Sequence, residues 1–455
     1  MLNFKKFEIS DIEKIKKYTN INGNFSCETS FVNLLVWQDI YNNMYAEKDG
    51  ILFIKSVIKG RANFRFLPFG SDMKKGVELL LEYCGGEEPI LWIQQAERFN
   101  EIAEHINENY QLYEHRDAFD YIYLTSDLAN LSGKKYHSKR NHISAFSKKY
   151  NWTYCDITDE NKEDILQCAQ LWYKANSERY DEYMECESRG IKTILENMEA
   201  LSISGGAIYI DGKAVAFTLG SPINDEVFDV HIEKALPEYA AAYTVINNEF
   251  AKRLAQYKYI NREDDMGIDG LRKAKLSYKP EILLKKYLCL PKKQVCQKLY
   301  HKNFADGDDA FENELFDKCF KYCHYLEKDG KIVSICFAFP CKIGEKNAKY
   351  IFGVATDENE RNKGYATELL NIIKAQSDDI LILRPVNDNV IDFYKKLGFK
   401  TFKATNQIND FCLTPNEVFY NLAKDEKEES GTYTAMYLSN SQENLENLYF
   451  PYSMI

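Results

Sequence analysis

Three Asp-Gly pairs recur along the chain, each between two runs of strand-forming residues, with glycines at Gly50, Gly212 and Gly330. A two-residue Asp-Gly loop predicts a tight β-hairpin, because both central residues of that turn take positive φ angles. After each hairpin the hydrophobic pattern predicts another strand, a helix and a second strand–helix pair. This order predicts three copies of one α/β (α+β) unit, each a mixed, mainly antiparallel sheet flanked by helices.

The last two copies agree closely in spacing. Ala242 follows Gly212 by 30 residues, and Gly364 follows Gly330 by 34. The first copy is more divergent but keeps the same order of elements. With 455 residues the chain is too long for a single core and suits about three units of roughly 150 residues. We therefore predict three units, at residues 1–126, 127–290 and 291–455.

The charge of the chain restricts the partners that it can bind. A formal net charge of −11 argues against binding nucleic acid over the whole surface. Two local segments, residues 134–149 and 272–286, are basic nonetheless. Each predicts either a patch for phosphate or an ordinary solvated helix face. In the first segment, Lys139 and Arg140 are candidate contacts to a phosphate or to tRNA.

Targeting and metal-binding patterns are missing from the sequence. No window reaches the roughly 18–20 unbroken apolar residues of a membrane helix, and the first residues lack the apolar core of a secretion signal. The 12 cysteines include no Cys-x-x-Cys pair. Cys319, Cys323 and His324 lie close in sequence but do not complete a set of zinc ligands. We predict a cytoplasmic protein with reduced thiols, no metal and no membrane span.

A polar, glycine-containing turn joins an apolar strand to an amphipathic helix at residues 355–370, ATDENERNKGYATELL. The first amides of a helix lack intrahelical partners and lie at the positive end of its dipole, so such a turn favours a phosphate. Gly364 lets a ligand approach the backbone closely, and the small side chain of Ala366 allows a second close approach. Arg361 and Lys363 add positive charge. The spacing Arg-x-x-Gly-x-Ala differs from both the P-loop and the dinucleotide-binding fingerprint.

Residues 291–455 resemble the GNAT superfamily of N-acetyltransferases. The resemblance rests on the loop Arg361–Ala366, on Asn387, on Tyr394 seven residues later and on the turn Leu397–Phe399. It implies acetyl-CoA as co-substrate, with its pyrophosphate on the loop and its pantetheine arm along the preceding strand and beside Asn387. It also implies that Tyr394 donates a proton to the departing thiolate, although a tyrosine packed beside its neighbour is an alternative. The coenzyme-binding residues implied are Val354, Ala355, Thr356, Arg361, Asn362, Lys363, Gly364, Tyr365, Ala366, Thr367 and Asn387.

Residues 1–290 resemble a second family, which includes the catalytic C-terminal domain of phosphatidylglycerol lysyltransferases, itself a tandem of GNAT-like folds. The resemblance implies transfer of an aminoacyl group from a charged tRNA. The membrane-embedded half of the lysyltransferases has no counterpart in this sequence, which argues against a lipid acceptor. The matching segments are SCETSFVNLLVWQDIY, GKKYHSKRNHISAF, HIEKALPEYAAAYTVIN and NREDDMGIDGLRKAKLSYKP.

The second copy has no phosphate-binding loop. Where the third copy reads ERNKGYAT, this one reads PEYAAAYT, without glycine or a basic residue, so coenzyme A is not expected there. The following strand instead places Glu263, Asp264 and Asp265 at the centre of the sheet, where carboxylates suit a substrate ammonium such as the α-amine of an aminoacyl group. Arg272 and Lys275 on the next helix suit a phosphate or a carboxylate. The alternative is an internal ion-pair network between strand and helix.

The sequence thus predicts an acyltransferase enzyme. Its C-terminal unit is expected to transfer an acetyl group from acetyl-CoA to an amine, while the tandem performs a second acyl transfer or selects the acceptor. The expected partners are acetyl-CoA, a small amine or aminoacyl substrate and, through the tandem, charged tRNA. The alternative is a non-catalytic ligand-binding or sensor protein, in which the tandem recognises a small molecule and the GNAT unit binds coenzyme A.

Overall fold

A computed structural model describes residues 1–58, 61–69, 72–93, 106, 109–179, 181–304, 308–376, 378–385, 387–405, 412–423, 432–440 and 443–449. The chain divides into two compact units. The first unit comprises residues 1–108 and 112–289, and the second comprises residues 109–111 and 290–455.

The first compact unit is built around two sheets. Its N-terminal part forms β1 (Lys5–Lys6), α1 (Ile12–Thr19), α2 (Phe31–Val36), α3 (Gln38–Tyr41), β2 (Met44–Lys48), β3 (Ile51–Ile58), β4 (Arg61–Phe69), α4 (Met73–Cys84), β5 (Ile90–Ile93) and β6 (Tyr110–Glu114). The next part forms β7 (Asp120–Leu124), α5 (Thr125–Asn130), α6 (His137–Lys149), β8 (Trp152–Asp156), α7 (Lys162–Ala175), α8 (Glu182–Glu196), β9 (Ser204–Ile210), β10 (Lys213–Pro222) and β11 (Val227–Ala235). It ends with α9 (Ala242–Arg253), β12 (Tyr259–Asn261), α10 (Asp269–Leu276), β13 (Ile282–Leu284) and β14 (Tyr287–Pro291).

The second compact unit is built around a third sheet. Its elements are α11 (Lys292–Asn303), α12 (Asp309–Cys319), β15 (Cys323–Lys328), β16 (Lys331–Ile343), β17 (Lys346–Thr356), α13 (Tyr365–Ala375), β18 (Ile380–Leu383), α14 (Asp388–Lys396), β19 (Lys400–Thr405), β20 (Leu413–Thr414), α15 (Glu417–Ala423) and β21 (Thr432–Leu438). The strand order is β15-β16-β17-β18-β21-β19, with β20 paired to β16.

All three sheets confirm the predicted fold class. Each contains the expected Asp-Gly hairpin, and the turn residues have the positive φ angles that such a turn needs, for example 55° at Asp49 and 76° at Gly50. Among the described residues most strand pairs are antiparallel, and each sheet also contains a parallel pair, namely β4 with β5, β11 with β12, and β17 with β18. Because parallel strands need a crossover, each such pair is joined by a helix, as the sequence pattern predicts.

The two sheets of the first compact unit exchange strands. Their orders are β1-β2-β3-β4-β5-β14-β6 and β13-β7-β12-β11-β10-β9-β8. Thus β7, which precedes the boundary predicted at residue 126, lies in the second sheet, while β14, near the boundary predicted at residue 290, lies in the first. The predicted boundaries stay predictions, but the exchange shows that the two halves of this unit depend on each other.

The core of the first compact unit draws on both halves. Phe31 and Leu34 from α2 are buried in one cluster with Ile165 of α7, Ile191 of α8 and Phe217 of β10. Burying such side chains removes apolar surface from water, at about 25 cal/mol per Å². Among the helices of the described part of the chain, none combines the length and the apolar character needed to cross a membrane.

Candidate functional site

A bulge opens the third sheet beside the predicted coenzyme strand. The β16–β17 register shifts between Ile335 and Phe337, opposite Gly353, whose φ is 61°. A Cβ atom at Gly353 would lie only 2.7 Å from Cε2 of Tyr300, so a larger residue does not fit. Pairing of β17 with β18 ends at Tyr350, although β17 continues to Thr356. The end of β17 therefore keeps an edge that β18 does not cover.

The predicted coenzyme contacts Val354, Ala355 and Thr356 form this uncovered end. The side chain of Ala355 is buried, and those of Val354 and Thr356 are half-buried. On the opposite edge, the Ser334 hydroxyl donates to the carbonyl of Ala355 at 3.0 Å and lies 3.1 Å from Oγ1 of Thr356. The strand is thus held firmly by β16 while its other edge offers backbone groups to an extended ligand.

The predicted phosphate loop has the geometry that its sequence indicates. Gly364 caps α13 with a φ of 83°, and a Cβ atom there would meet nothing within 4 Å. The space above the loop is therefore open to a ligand. Tyr365, Ala366 and Thr367 form the first turn of α13, where the backbone amides have no intrahelical acceptor. Asn362 has a φ of 65° and is exposed.

Two basic side chains flank this loop and are exposed to solvent. The Arg361 guanidinium donates to Oδ1 of Asn303 at 2.9 Å, and the Lys363 ammonium lies 2.7 Å from Oε2 of Glu360. Both partners are surface groups, so these contacts are weak and can yield to a phosphate. The loop therefore brings open helix amides and two cations to one place.

Tyr394 lies on α14 and is 9% exposed. Its ring packs against those of Phe393 and Phe399, with centroids 5.0 and 5.5 Å away. Burial raises the pKa of Tyr394, so the hydroxyl keeps its proton at neutral pH. No described residue shares a hydrogen bond with that hydroxyl. These facts suit a proton donor and also suit a packed tyrosine, so both predictions for Tyr394 stand.

A cavity of about 260 Å³ lies beside Asn387 at the start of α14. Asn387 caps the helix by accepting from the amide of Asn389 at 3.0 Å, which leaves its Nδ2 atom for a ligand. The cavity is lined by Arg384, Pro385, Asn387, Asp388, Ile391, Tyr433 and Thr434.

In the second sheet, Asp265 is the centre of an ion-pair network. Its carboxylate is fully buried and receives Nε and Nη2 of Arg272 at 2.9 and 2.8 Å, Nη1 of Arg116 at 3.1 Å and the Tyr121 hydroxyl at 2.5 Å. Although burial opposes the charge, Arg272 and Tyr121 together hold the pKa of Asp265 well below its usual range. Asp265 and Arg272 therefore belong to an internal ion-pair network, which the sequence analysis left open as the alternative to a substrate site.

Asp264 and Lys275 have different environments. The Asp264 carboxylate is half-buried and accepts one hydrogen bond, from the amide of Met266 at 3.1 Å. Burial raises its pKa to about 7. The Lys275 ammonium donates to the carbonyls of Arg262 and Asp264, the former at 2.6 Å, so it fixes the strand end rather than pairing with a carboxylate. Burial also lowers the pKa of Lys275.

The two predicted phosphate contacts lie on α6. The Lys139 ammonium is 3.6 Å from the centre of the Tyr278 ring, and burial, with the charge of Arg262, lowers its pKa to about 8. The Arg140 side chain donates to the carbonyls of Leu131 and Gly133 at 2.5 and 2.8 Å. Arg140 thus stabilises the preceding loop, whereas Lys139 has a cation–π partner and no carboxylate among the described residues.

Glu263 belongs to a cluster with the buried Asp229 and with His231, at the point where β11 and β12 separate. The last paired residues are Asp229 and Asn261, and Glu263 follows with a φ of 56°. Its Oε1 atom lies 3.3 Å from Nδ1 of His231 and accepts from Nδ2 of Asn33 at 2.8 Å. Nδ1 of His231 also lies 3.4 Å from Oδ2 of Asp229.

A second buried cluster lies beside the first. The Lys286 ammonium, 1% exposed, contacts Oδ1 of the fully buried Asp120 at 2.7 Å and Sγ of Cys27 at 3.4 Å. Asp120 also accepts from the Cys27 amide at 3.0 Å and from Nδ2 of Asn261 at 3.1 Å. Burial, followed by the charge of Asp120, raises the pKa of Cys27, so its thiol stays protonated. The Cys27 thiol also donates to Oδ1 of Asp120 at 3.1 Å, so it is a hydrogen-bonded thiol rather than a reactive thiolate.

Residues 20–290 match the family model described as phosphatidylglycerol lysyltransferase, C-terminal. The match covers more than half of the chain. The chain belongs to this lysyltransferase C-terminal family. Residues 293–399 match the acetyltransferase (GNAT) family, so the lysyltransferase-type tandem is followed by a GNAT domain, as the sequence predicts. Both families are acyltransferases.

Several known proteins resemble this family member. A crystal structure of a conserved protein of unknown function from Bacteroides thetaiotaomicron is 38% identical, with a TM-score of 0.60, and covers 64% of this chain and 100% of that one. L-PGS from Bacillus licheniformis is 15% identical with a TM-score of 0.45, over 62% of this chain and 91% of that one. An uncharacterised protein of Mycoplasmoides gallisepticum is 26% identical over 176 residues. The match covers 38% of this chain and 56% of that protein, so the chain spans about half the length of this curated relative.

Sequence analysis missed the polar residues on β11 in the second sheet. Asp229 and His231 alternate with apolar residues along β11, so they share one face of the strand. A signal was available in the sequence, because an acidic group and an imidazole occupy alternate positions of a strand that is expected to be buried. Asn33, Asp120 and Lys286 gave no such signal, since they come from distant parts of the sequence.

Proposed function

We propose that the C-terminal unit transfers an acetyl group from acetyl-CoA to an amine. The observation that carries this proposal is the Gly364 loop, whose open helix amides and two cations follow directly on the uncovered edge of β17. A pyrophosphate on the loop and a pantetheine arm along the strand would place the thioester near the end of β18.

The chemistry requires a neutral amine, a thioester and a proton for the departing sulfur. The amine nitrogen bonds to the acetyl carbon, the carbon–sulfur bond breaks, the sulfur gains a proton, and the nitrogen loses one as the amide forms. We assign the proton that the sulfur gains to Tyr394, because burial raises its pKa and keeps the hydroxyl protonated at neutral pH, and the proton that leaves the nitrogen restores the hydroxyl.

The experiment that tests coenzyme binding compares two glycine variants in the full-length chain. Gly364 and Gly344 both have positive φ angles, and at neither would an added Cβ atom meet another atom within 4 Å, so replacement strains the two backbones similarly. Gly364→Trp should weaken acetyl-CoA binding, measured by calorimetry, by more than about tenfold, since the indole would occupy the space of the pyrophosphate. Gly344→Trp should bind as the wild type does. Equal binding by all three proteins would refute the loop as the coenzyme site.

Activity is then measured as release of free thiol with a panel of small amines and aminoacyl compounds. Turnover with at least one of them supports the transferase. Binding of acetyl-CoA without turnover on any amine favours the alternative, a ligand-binding or sensor protein. The two measurements therefore separate coenzyme binding from catalysis.

For the tandem we propose an aminoacyl substrate, donated by charged tRNA or presented as the acceptor. Two observations support this proposal: the carboxylates of the buried Asp229 and the partly exposed Glu263 lie where β11 and β12 separate, and α6 exposes Lys148 and its neighbouring basic residues. Retardation of charged tRNA by the wild type should fall in Lys148→Ala/Lys149→Ala and should weaken with salt. If the variant retards tRNA as strongly as the wild type, α6 is not the contact.

A further inference from the structure

The cluster of Asp229, His231 and Glu263 brings three metal-ligating groups together inside the first compact unit. One ligand atom from each residue lies within 4.8 Å of the others. Asp229 and His231 are fixed by β11, and Glu263 is fixed by the strand end that Lys275 holds. These groups therefore converge on one point without any rearrangement of the backbone.

One carboxylate oxygen in this cluster has no donor. Asp229 is fully buried, and no described residue donates a hydrogen bond to its Oδ1 atom. Its Oδ2 atom is approached by Nδ2 of Asn33 at 3.4 Å. A buried, unpartnered carboxylate oxygen is costly, and here a second carboxylate, Glu263, adds like-charge repulsion. The cluster therefore favours either a positive charge or a proton at Oδ1.

The neighbours of the cluster hold the three side chains in the manner of outer partners at a metal site. Nε2 of His231 lies 2.8 Å from the Ser221 hydroxyl, and when that nitrogen carries the proton, Nδ1 presents a lone pair to the cluster. The Asn33 amide binds Oε1 of Glu263 at 2.8 Å, which leaves Oε2 for another partner. The neighbouring groups thus orient the three side chains and leave one potential ligand atom on each.

We propose that Asp229, His231 and Glu263 bind one divalent transition-metal ion, with zinc as the favoured ion. An imidazole nitrogen with two carboxylate oxygens suits zinc better than calcium or magnesium, which prefer oxygen alone. Three protein ligands leave a coordination position for water or for a substrate carbonyl, and a metal ion there acts as a Lewis acid. The sequence-based prediction of no metal rested on cysteine spacing, which this site does not use.

The competing occupant is a proton. Burial, followed by the charge of Glu263, raises the pKa of Asp229, and a proton on this carboxyl would satisfy Oδ1 without a metal. The two occupants differ in what they do to stability. A metal ion adds stability that a chelator removes, because it binds the folded chain only. A proton adds stability that is insensitive to chelators.

The test uses the full-length chain, treated with chelator, dialysed and titrated calorimetrically with Zn²⁺ alone. We expect one strong site per chain and a rise in melting temperature on adding zinc. His231→Gln and Glu263→Gln should each lower the affinity by more than about 100-fold, because even outer partners of a ligand contribute about 10–100-fold. Glu263 is partly exposed, so its variant tests the site even if His231→Gln does not fold.

Two control histidines distinguish this site from surface binding. His142 is exposed on α6, and His301 lies with Asp309 and Glu312 in an exposed cluster. His142→Gln and His301→Gln should keep the strong site. Loss of that site in His301→Gln, or its persistence in both cluster variants, would overturn the proposal.

A cobalt titration tests the ligand type directly. Cobalt at the proposed site should give visible d–d bands without a near-ultraviolet thiolate band, since no ligand is a cysteine. A thiolate band would place the ion on a cysteine such as the exposed Cys155, and would refute the assignment. Absence of any zinc-dependent heat or stabilisation would leave the proton as the occupant and would refute it as well.

Discussion

Replacing Lys286 by methionine tests the buried charges of the first compact unit. The change removes the ammonium but keeps most of the side-chain volume. It leaves the carboxylate of Asp120, fully buried, without its closest positive charge at 2.7 Å, while the next acid, Glu28, lies 3.6 Å from the same ammonium. Burial opposes the lysine charge, but the charge of Asp120 outweighs it and holds the pKa of Lys286 well above its usual value.

The expected loss follows from the partners that remain. Removing one member of a buried ion pair costs about 3–5 kcal/mol, because the other charge stays buried without compensation. Asp120 would still accept from the Cys27 amide and from Asn261, so we expect the lower end, about 3 kcal/mol. At about 2–4 °C per kcal/mol for a large domain, the melting temperature should fall by about 6–12 °C.

The assay compares the melting temperatures of Lys286→Met and Lys285→Met by differential scanning calorimetry. Both proteins are measured with and without prior treatment with a chelator. Lys285 is the adjacent residue, pairs with Glu114 on the surface at 2.9 Å and is more than half exposed. Its variant should melt with the wild type. Adding Asp120→Asn to Lys286→Met should restore part of the loss, since it removes the stranded charge. A Lys286→Met protein that melts with the Lys285→Met control would refute the reasoning.

Three further outcomes are expected. Lys363→Ala should weaken acetyl-CoA binding several-fold by calorimetry, whereas Lys374→Ala, at the other end of α13, should not; equal effects would argue against a charge on the loop. Tyr394→Phe should lower kcat for acetyl transfer by about 100-fold or more with little change in KM, whereas a change below about threefold would leave Tyr394 as a packed tyrosine. Labelling of Lys139 by an amine-reactive reagent, followed by mass spectrometry, should rise with pH through a midpoint near 8, because its pKa is lowered to about 8 and only the neutral amine reacts; a midpoint above about pH 10 would contradict that environment.

The fold could be predicted from the sequence because its signals are local. Each Asp-Gly hairpin is specified by two adjacent residues. The turn at Gly364 is specified by a single glycine, because its left-handed φ favours a residue without a side chain. The residues of the loop and the first turn of α13 follow one another in the chain, so a short motif defines their geometry. The strand exchange between the first two sheets has no such signal, because it depends on which edges meet after folding.

The tandem site illustrates the opposite case. The acidic run Glu263, Asp264 and Asp265 was visible in the sequence, yet its three carboxylates have three different environments. Asp265 faces Arg272 and Arg116, Asp264 is half-buried with a single hydrogen bond, and Glu263 faces His231. The backbone leaves the extended conformation at Glu263, whose φ is 56°, so the three acids do not form one site.

The buried charges also explain why the two halves of the first compact unit form one functional body. The Lys286 cluster takes Cys27 from the N-terminal half, Asp120 from the exchanged strand β7, Asn261 from β12 and Lys286 from the segment before β14. The neighbouring cluster of Asp229, His231 and Glu263 takes Asn33 from α2 as a partner and its own members from β11 and the segment after β12. Neither half alone can compensate these charges, and a partly assembled unit would leave several of them buried without partners. The substrate site that we propose at the end of β11 and β12 therefore requires that both halves are folded together.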